Sequence, residues 1–129
     1  MERLYPQNLD IRTLSPLALA FVGDGVYGLM VRERLVSQAN RPNSQLHKAS
    51  VELVRAEAQA AAMQVLLPLL TEEETAVYKR GRNAHTTRNS GDYHQATGLE
   101  ALFGYLYLSG EIGRIRQLFS IIMGDTDTD

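Results

Sequence analysis

The chain has 129 residues, 44% hydrophobic and 22% charged, with a formal net charge of −2 and no cysteine. That length is one domain able to bury a core unaided, and the missing cysteines exclude disulfides and thiolate zinc or iron–sulfur sites. The balance of charge excludes a generally basic, phosphate-coating surface; the N-terminus MERLYPQNLD lacks an apolar signal core and no run reaches membrane-span length, so a soluble cytoplasmic protein with no membrane partner is expected.

Ser15 followed by Pro16 is a helix start, because the hydroxyl can cap free amides and proline tolerates the first helical position. The helix is predicted to run to about Val36, with apolar residues around nearly its whole circumference down to Met30, as in a central buried helix. Between Leu17 and Val31 its only charge is Asp24, flanked by Gly23 and Gly25. After the polar connection SQANRPNS, Ser44 opens a second long helix expected to end near Pro68. One apolar seam follows Leu46, Ala49, Leu53, Ala56, Ala60, Met63 and Leu67, and a second follows Val51, Val54, Ala58, Ala61 and Val65. Two seams imply partners on two sides, leaving a narrow face of Lys48, Glu52, Arg55 and Gln59 for water.

Thr71 with Glu74 three residues on forms a capping box, placing a short helix from Glu72 to about Arg80, followed by a basic loop. Helix resumes near Asp92 to Gln95 and runs to about Ser109, with Gly110 as terminator. Between Ala96 and Leu108 its only charge is Glu100, close to Gly98 and Gly104. A last amphipathic helix uses Ile112, Ile115, Leu118, Phe119 and Ile122, and the acidic residues 125–129 read as a frayed tail. No stretch alternates with period two, so an all-α domain of four to six helices spanning residues 1–124 is expected.

A lone ionised carboxylate in an apolar interior is costly unless paired, hydrogen-bonded or bound to a metal. The plainer reading of Asp24 and Glu100 is that each is satisfied by an arginine, a tyrosine or backbone amides. The alternative is that the glycines bring the two helices close and set both carboxylates opposite one another. Such an oxygen-only pair suits magnesium or manganese and phosphoryl chemistry.

From Lys79 to Asn89 the chain carries four fixed positive charges, Lys79, Arg80, Arg82 and Arg88, with His85 and no acid. Charge runs are most often solvated faces. Here Gly81, Asn83, Thr86, Thr87 and Asn89 interleave with the cations, a composition suited to the phosphates and ribose hydroxyls of a duplex. His47, His85 and His94 have no ligand spacing among them, which argues against zinc.

These residues carry a resemblance. The segment ALAFVGDGVYGLMVRERL resembles the signature helix of the ribonuclease III catalytic domain, and ATGLEALFGYLYLSG resembles its second active-site helix. More narrowly, the chain is similar to the bacterial branch of that family in which the catalytic domain stands without a double-stranded-RNA-binding domain, and KRGRNAHT is similar to the basic loop of that branch. Classical members carry further acids where Ala20 and Thr97 stand, a reduction this branch shares.

The resemblance implies an all-helical homodimer that hydrolyses double-stranded RNA with magnesium, or manganese in its place, leaving 5′-phosphate and 3′-hydroxyl ends. It carries metal-binding catalytic roles over to Asp24 and Glu100, and the basic segment from Lys79 to Asn89 supplies the expected RNA contacts, Lys79, Arg80, Arg82, Asn83, His85, Thr86 and Arg88. Its implied substrate is the large-subunit (23S) ribosomal RNA precursor, with a ribosomal protein as a further partner. Two other readings stay open on the residues alone: a non-catalytic helical dimer binding duplex RNA or ribosome components, and an all-helical magnesium-dependent nucleotide phosphohydrolase.

Overall fold

Helix α1 (Pro16–Gln38) begins where Ser15 Oγ accepts the Ala18 N–H at 3.1 Å, with proline in the first turn. The computed structural model describes residues 3–84 and 91–125. Within them follow α2 (Asn43–Val54), α3 (Ala56–Leu66), α4 (Glu72–Arg82), α5 (Gly91–Leu108) and α6 (Ile112–Met123), with short 3-10 turns at Ile11–Thr13 and Leu67–Leu69 and no strand.

The centre of the bundle is α5, against which α1, α3, α4 and α6 all pack. Ala96, Leu99, Ala101, Leu102, Phe103 and Leu106 are buried around it. Tyr27 from α1 meets Phe103 and Phe119 edge-on, with ring centroids 5.2 and 5.6 Å apart, the arrangement favoured by the ring quadrupoles. Met63 and Leu66 of α3 and Leu118 of α6 complete this core.

Four expectations need correction. Helix α1 is not buried all round: Leu17, Phe21, Leu29 and Val36 are exposed, and Asp24 lies on that open side. The long helix expected from Ser44 to Pro68 is broken at Arg55, whose ψ of 160° is extended. The break lets α2 lie along α1 while α3 lies along α5, two directions that one straight helix cannot serve. Beyond it the facing changes, so Gln59, expected in water beside Lys48, Glu52 and Arg55, is buried. Of the second apolar seam, Val51, Ala61 and Val65 are exposed.

The capping box at α4 is formed: Thr71 Oγ1 accepts the Glu74 N–H at 3.1 Å, and Thr71 N–H donates to Glu74 Oε1 at 2.9 Å. Arg114 of α6 donates to both Glu74 carboxylate oxygens at 2.8 Å and to the Leu69 carbonyl at 3.0 Å, tying α6 to the start of α4. Gly110 ends α5 with φ of 80°, and the Glu111 N–H reaches back to the Leu106 carbonyl at 2.8 Å. Gly124 ends α6 likewise, after which Asp125 takes two hydrogen bonds from Arg34 at 2.9 Å.

Candidate active site

The site is set by an unusually close crossing of α1 and α5. A Cβ placed on Gly23 would stand 1.6 Å from the Glu100 carbonyl oxygen and 2.8 Å from the Gly104 nitrogen. One placed on Gly104 would stand 1.9 Å from the Leu19 carbonyl oxygen. Backbone therefore touches backbone at Gly23 and Gly104, which only glycine permits. Asp24, next to Gly23, and Glu100, whose carbonyl abuts Gly23, are consequently neighbours close enough for their carboxyls to hydrogen-bond. Gly25 plays no part in this contact, since nothing lies within 4 Å of a Cβ built there.

Asp24 is exposed and Glu100 half-buried. Burial first, then the Asp24 charge and its hydrogen bond, push the Glu100 carboxyl up to about 7, opposed only by a hydrogen bond from Gln59. Among the described residues neither carboxylate is paired with a lysine, arginine or histidine. Asp24 thus adds to the cost of ionising Glu100, and a cation between them would lower it. Their donors are all oxygen, which fits a hard divalent ion that retains several waters. No group of three or more acids or histidines gathers among the described residues. Ala20 is buried, and the Thr97 hydroxyl is turned back onto its own helix, donating to the Tyr93 carbonyl at 3.0 Å.

A third side chain reaches this pair from α3. Gln59 is 1% exposed; its Nε2 donates to the Val54 carbonyl at 2.8 Å and to Glu100 Oε2 at 3.4 Å. Helical extrapolation through residue 55 hides it. The only signal in the sequence is an amide set among alanines, in AEAQAAA.

The basic residues sit differently from the loop that was expected. Helix α4 extends to Arg82, so Lys79, Arg80 and Arg82 occupy its last turn, where cations complement the helix dipole, and Asn83 caps it. Gly81 between the arginines is buried, with a built Cβ 2.6 Å from Ala101 Cβ and 3.1 Å from Gly98 Cα. That contact seats the basic turn on the stretch of α5 that carries Thr97 and Glu100. Lys79 and Arg80 are exposed, and Arg80 lines a cavity of about 440 Å³ with Glu73 and Tyr105. Arg82 turns the other way, its guanidinium 5.6 Å from the Tyr78 ring centroid and its Nε donating to Asn83 Oδ1 at 3.1 Å. His85, Thr86 and Arg88 lie outside the described residues.

An all-helical domain with a paired aspartate and glutamate on crossing helices defines a class, and residues 17–111 match the model of the Ribonuclease III domain. The chain is 45% identical over 116 residues to a protein named Mini-ribonuclease 3 from Thermoanaerobacter sp. strain X514, covering 86% of this chain and 82% of that one. To the Mini-ribonuclease 3 of Brevibacillus brevis it is 44% identical over 126 residues, covering 91% and 94%. An X-ray structure of a Fusobacterium nucleatum protein superposes with a TM-score of 0.81 at 31% identity, covering 91% of this chain and 98% of that one. The chain belongs to the Mini-ribonuclease 3 branch of the ribonuclease III family and is an endoribonuclease of that type. Among the described residues no helix is long and apolar enough to cross a membrane.

Proposed function

We propose that this endoribonuclease cleaves double-stranded RNA as a magnesium-dependent homodimer, with manganese able to substitute, and that Asp24 and Glu100 hold the ion. The carrying observation is the Asp24–Glu100 pair, formed across the Gly23–Gly104 contact with no basic side chain to neutralise it among the described residues. When bound, the ion supplies an activated water and stabilises the leaving oxygen of the phosphodiester. Asp24 presents its oxygens on an open face where a bulky duplex can approach, while Glu100 behind it is half-buried. Lys79, Arg80, Arg82 and Asn83, with His85, Thr86 and Arg88 beyond them, take the phosphate backbone. This recognises duplex shape in preference to base sequence.

The open face of α1 supports the dimer. Phe21 is 83% exposed, one turn from Asp24, and Leu17 and Leu29 are exposed with it. Large apolar groups left together on a surface mark an interaction site. Covering this face with a second copy would set two Asp24–Glu100 pairs beside one interface, as cutting both strands of a duplex requires. By family resemblance, the substrate is the cytoplasmic large-subunit (23S) ribosomal RNA precursor, with a ribosomal protein as a further partner.

Incubation with long double-stranded RNA, single-stranded RNA and double-stranded DNA, each with magnesium and with chelator, tests the reading. Loss of the duplex RNA alone, and only with metal, is expected. Asp24→Asn should lower cleavage by at least ~10² while duplex binding persists; wild-type cleavage by the pure variant would defeat the assignment. Replacing Arg80 and Arg82 by glutamine should weaken RNA binding and reduce the slope of log affinity against log salt by roughly one for each phosphate no longer neutralised.

A further inference from the structure

The break between α2 and α3 has a buried amide at its inner side. Because Arg55 is extended, the Val54 carbonyl at the end of α2 lacks an onward helical donor, and Gln59 Nε2 supplies one at 2.8 Å. The same nitrogen lies 3.4 Å from Glu100 Oε2. With two acceptors on one side, the amide has a single sensible orientation, since flipping it would set oxygen against two oxygens. Its Oε1 is then buried with no hydrogen-bond partner. A leucine or methionine would fill this space without burying an unmatched acceptor, so packing alone does not explain a glutamine here.

We propose that Gln59 is the positioning residue of the active site: its amide bridges the helix break to Glu100 and fixes the carboxylate of Glu100 beside Asp24. This rests on the reading of Asp24 and Glu100 as the ion-holding pair. The bend at Arg55 and the placement of Glu100 thus become one feature. In a site with two acids and no third among the described residues, the orientation of each carboxylate has to be enforced from outside the pair.

Gln59→Met keeps side-chain length and helix propensity and removes both hydrogen bonds. In the absence of RNA, its affinity for Mn²⁺, read by calorimetry or electron paramagnetic resonance, should fall about tenfold. With long duplex RNA, kcat should fall while KM, set by the basic turn of α4, stays within about twofold. A folded variant with wild-type Mn²⁺ affinity and kcat would overturn the proposal. Asp24→Asn, measured alongside, separates the two levels: if it too keeps wild-type Mn²⁺ affinity, the ion-holding pair itself is refuted. If it loses that affinity while Gln59→Met does not, the proposal alone falls. A measurement on the unsubstituted protein covers the case in which Gln59→Met does not fold. The Gln59 side-chain amide resonances should shift on titration with Mg²⁺, and not in Asp24→Asn; no shift in the wild-type protein would overturn the proposal.

Discussion

At the corner of α4 and α6, Glu74 is 6% exposed, and both of its oxygens are taken by Arg114 at 2.8 Å. At the crossing of α1 and α5, Glu100 is half-buried, faces a second carboxylate and receives one long hydrogen bond from an amide. The Arg114 guanidinium holds the Glu74 carboxyl below the usual carboxylate range, whereas burial and Asp24 raise that of Glu100 to about 7. One glutamate is matched by a guanidinium; the other, among the described residues, has no basic partner. The close approach of Gly23 and Gly104 imposes that mismatch, which supports the proposal that the pair binds a cation.

The contrast can be broken most severely at the crossing itself. Gly23→Ala would drive a methyl into the Glu100 carbonyl, 1.6 Å away, and backbone cannot yield as a flexible side chain does. A loss of at least about 3 kcal/mol in urea unfolding is expected, with cleavage lost as the helices separate. Gly25→Ala, two residues along with nothing within 4 Å, should instead gain about 0.5–1 kcal/mol. Equal effects at the two glycines would remove the crossing as the origin of the site.

A smaller loss should follow from the satisfied corner. Arg114→Met leaves the Glu74 carboxylate enclosed without its partner. About 2 kcal/mol of stability should go, less than for a fully buried pair because the Arg114 side chain is 21% exposed. Cleavage by the folded fraction should be unchanged, and a stability loss below about 0.5 kcal/mol would place this pair with ordinary surface bridges.

The smallest expected effect is a pH dependence of opposite sign at the two glutamates. Glu74, lowered in the fold, contributes stability that is present above its ordinary value of 4.5 and is lost as pH falls through the folded value. Glu100, raised to about 7 from 4.5, binds its proton more tightly when folded, so stability falls as pH rises from 4.5 to about 7. In chelator, wild-type protein should lose about 1 kcal/mol over that window, a figure reduced for solvent screening of a partly exposed pair. Asp24→Asn should lose less, because one cause of the Glu100 shift is gone. Parallel denaturation profiles for the two proteins between those pH values would show that Asp24 does not act on Glu100.

Much of the fold and part of the site are legible in residue type and spacing. Ser15, the Thr71–Glu74 box, Gly110 and the hydrophobic spacing mark helix ends through interactions spanning a few residues, which any chain carries in its local order. The lone charges at Asp24 and Glu100, each set among glycines, already suggest a meeting of two helices. Gln59 is not legible, because a periodic pattern extended through residue 55 assigns it to the wrong side of a helix that in fact stops there. Nor is the exposure of Phe21, since apolarity around a helix reports what can be buried and not what the fold does bury.

The all-helical class, most helix ends, the two lone acids and the cationic segment are encoded in residue type and short-range spacing. The tertiary structure alone decided that α5 is the buried centre, that α1 keeps an open face at Asp24, that the basic turn rests on α5, and that a break at Arg55 turns Gln59 toward Glu100. Those outcomes depend on which surfaces meet. That choice is settled by packing over the whole chain, where the gain from seating α2 and α3 on different partners outweighs the cost of interrupting one helix.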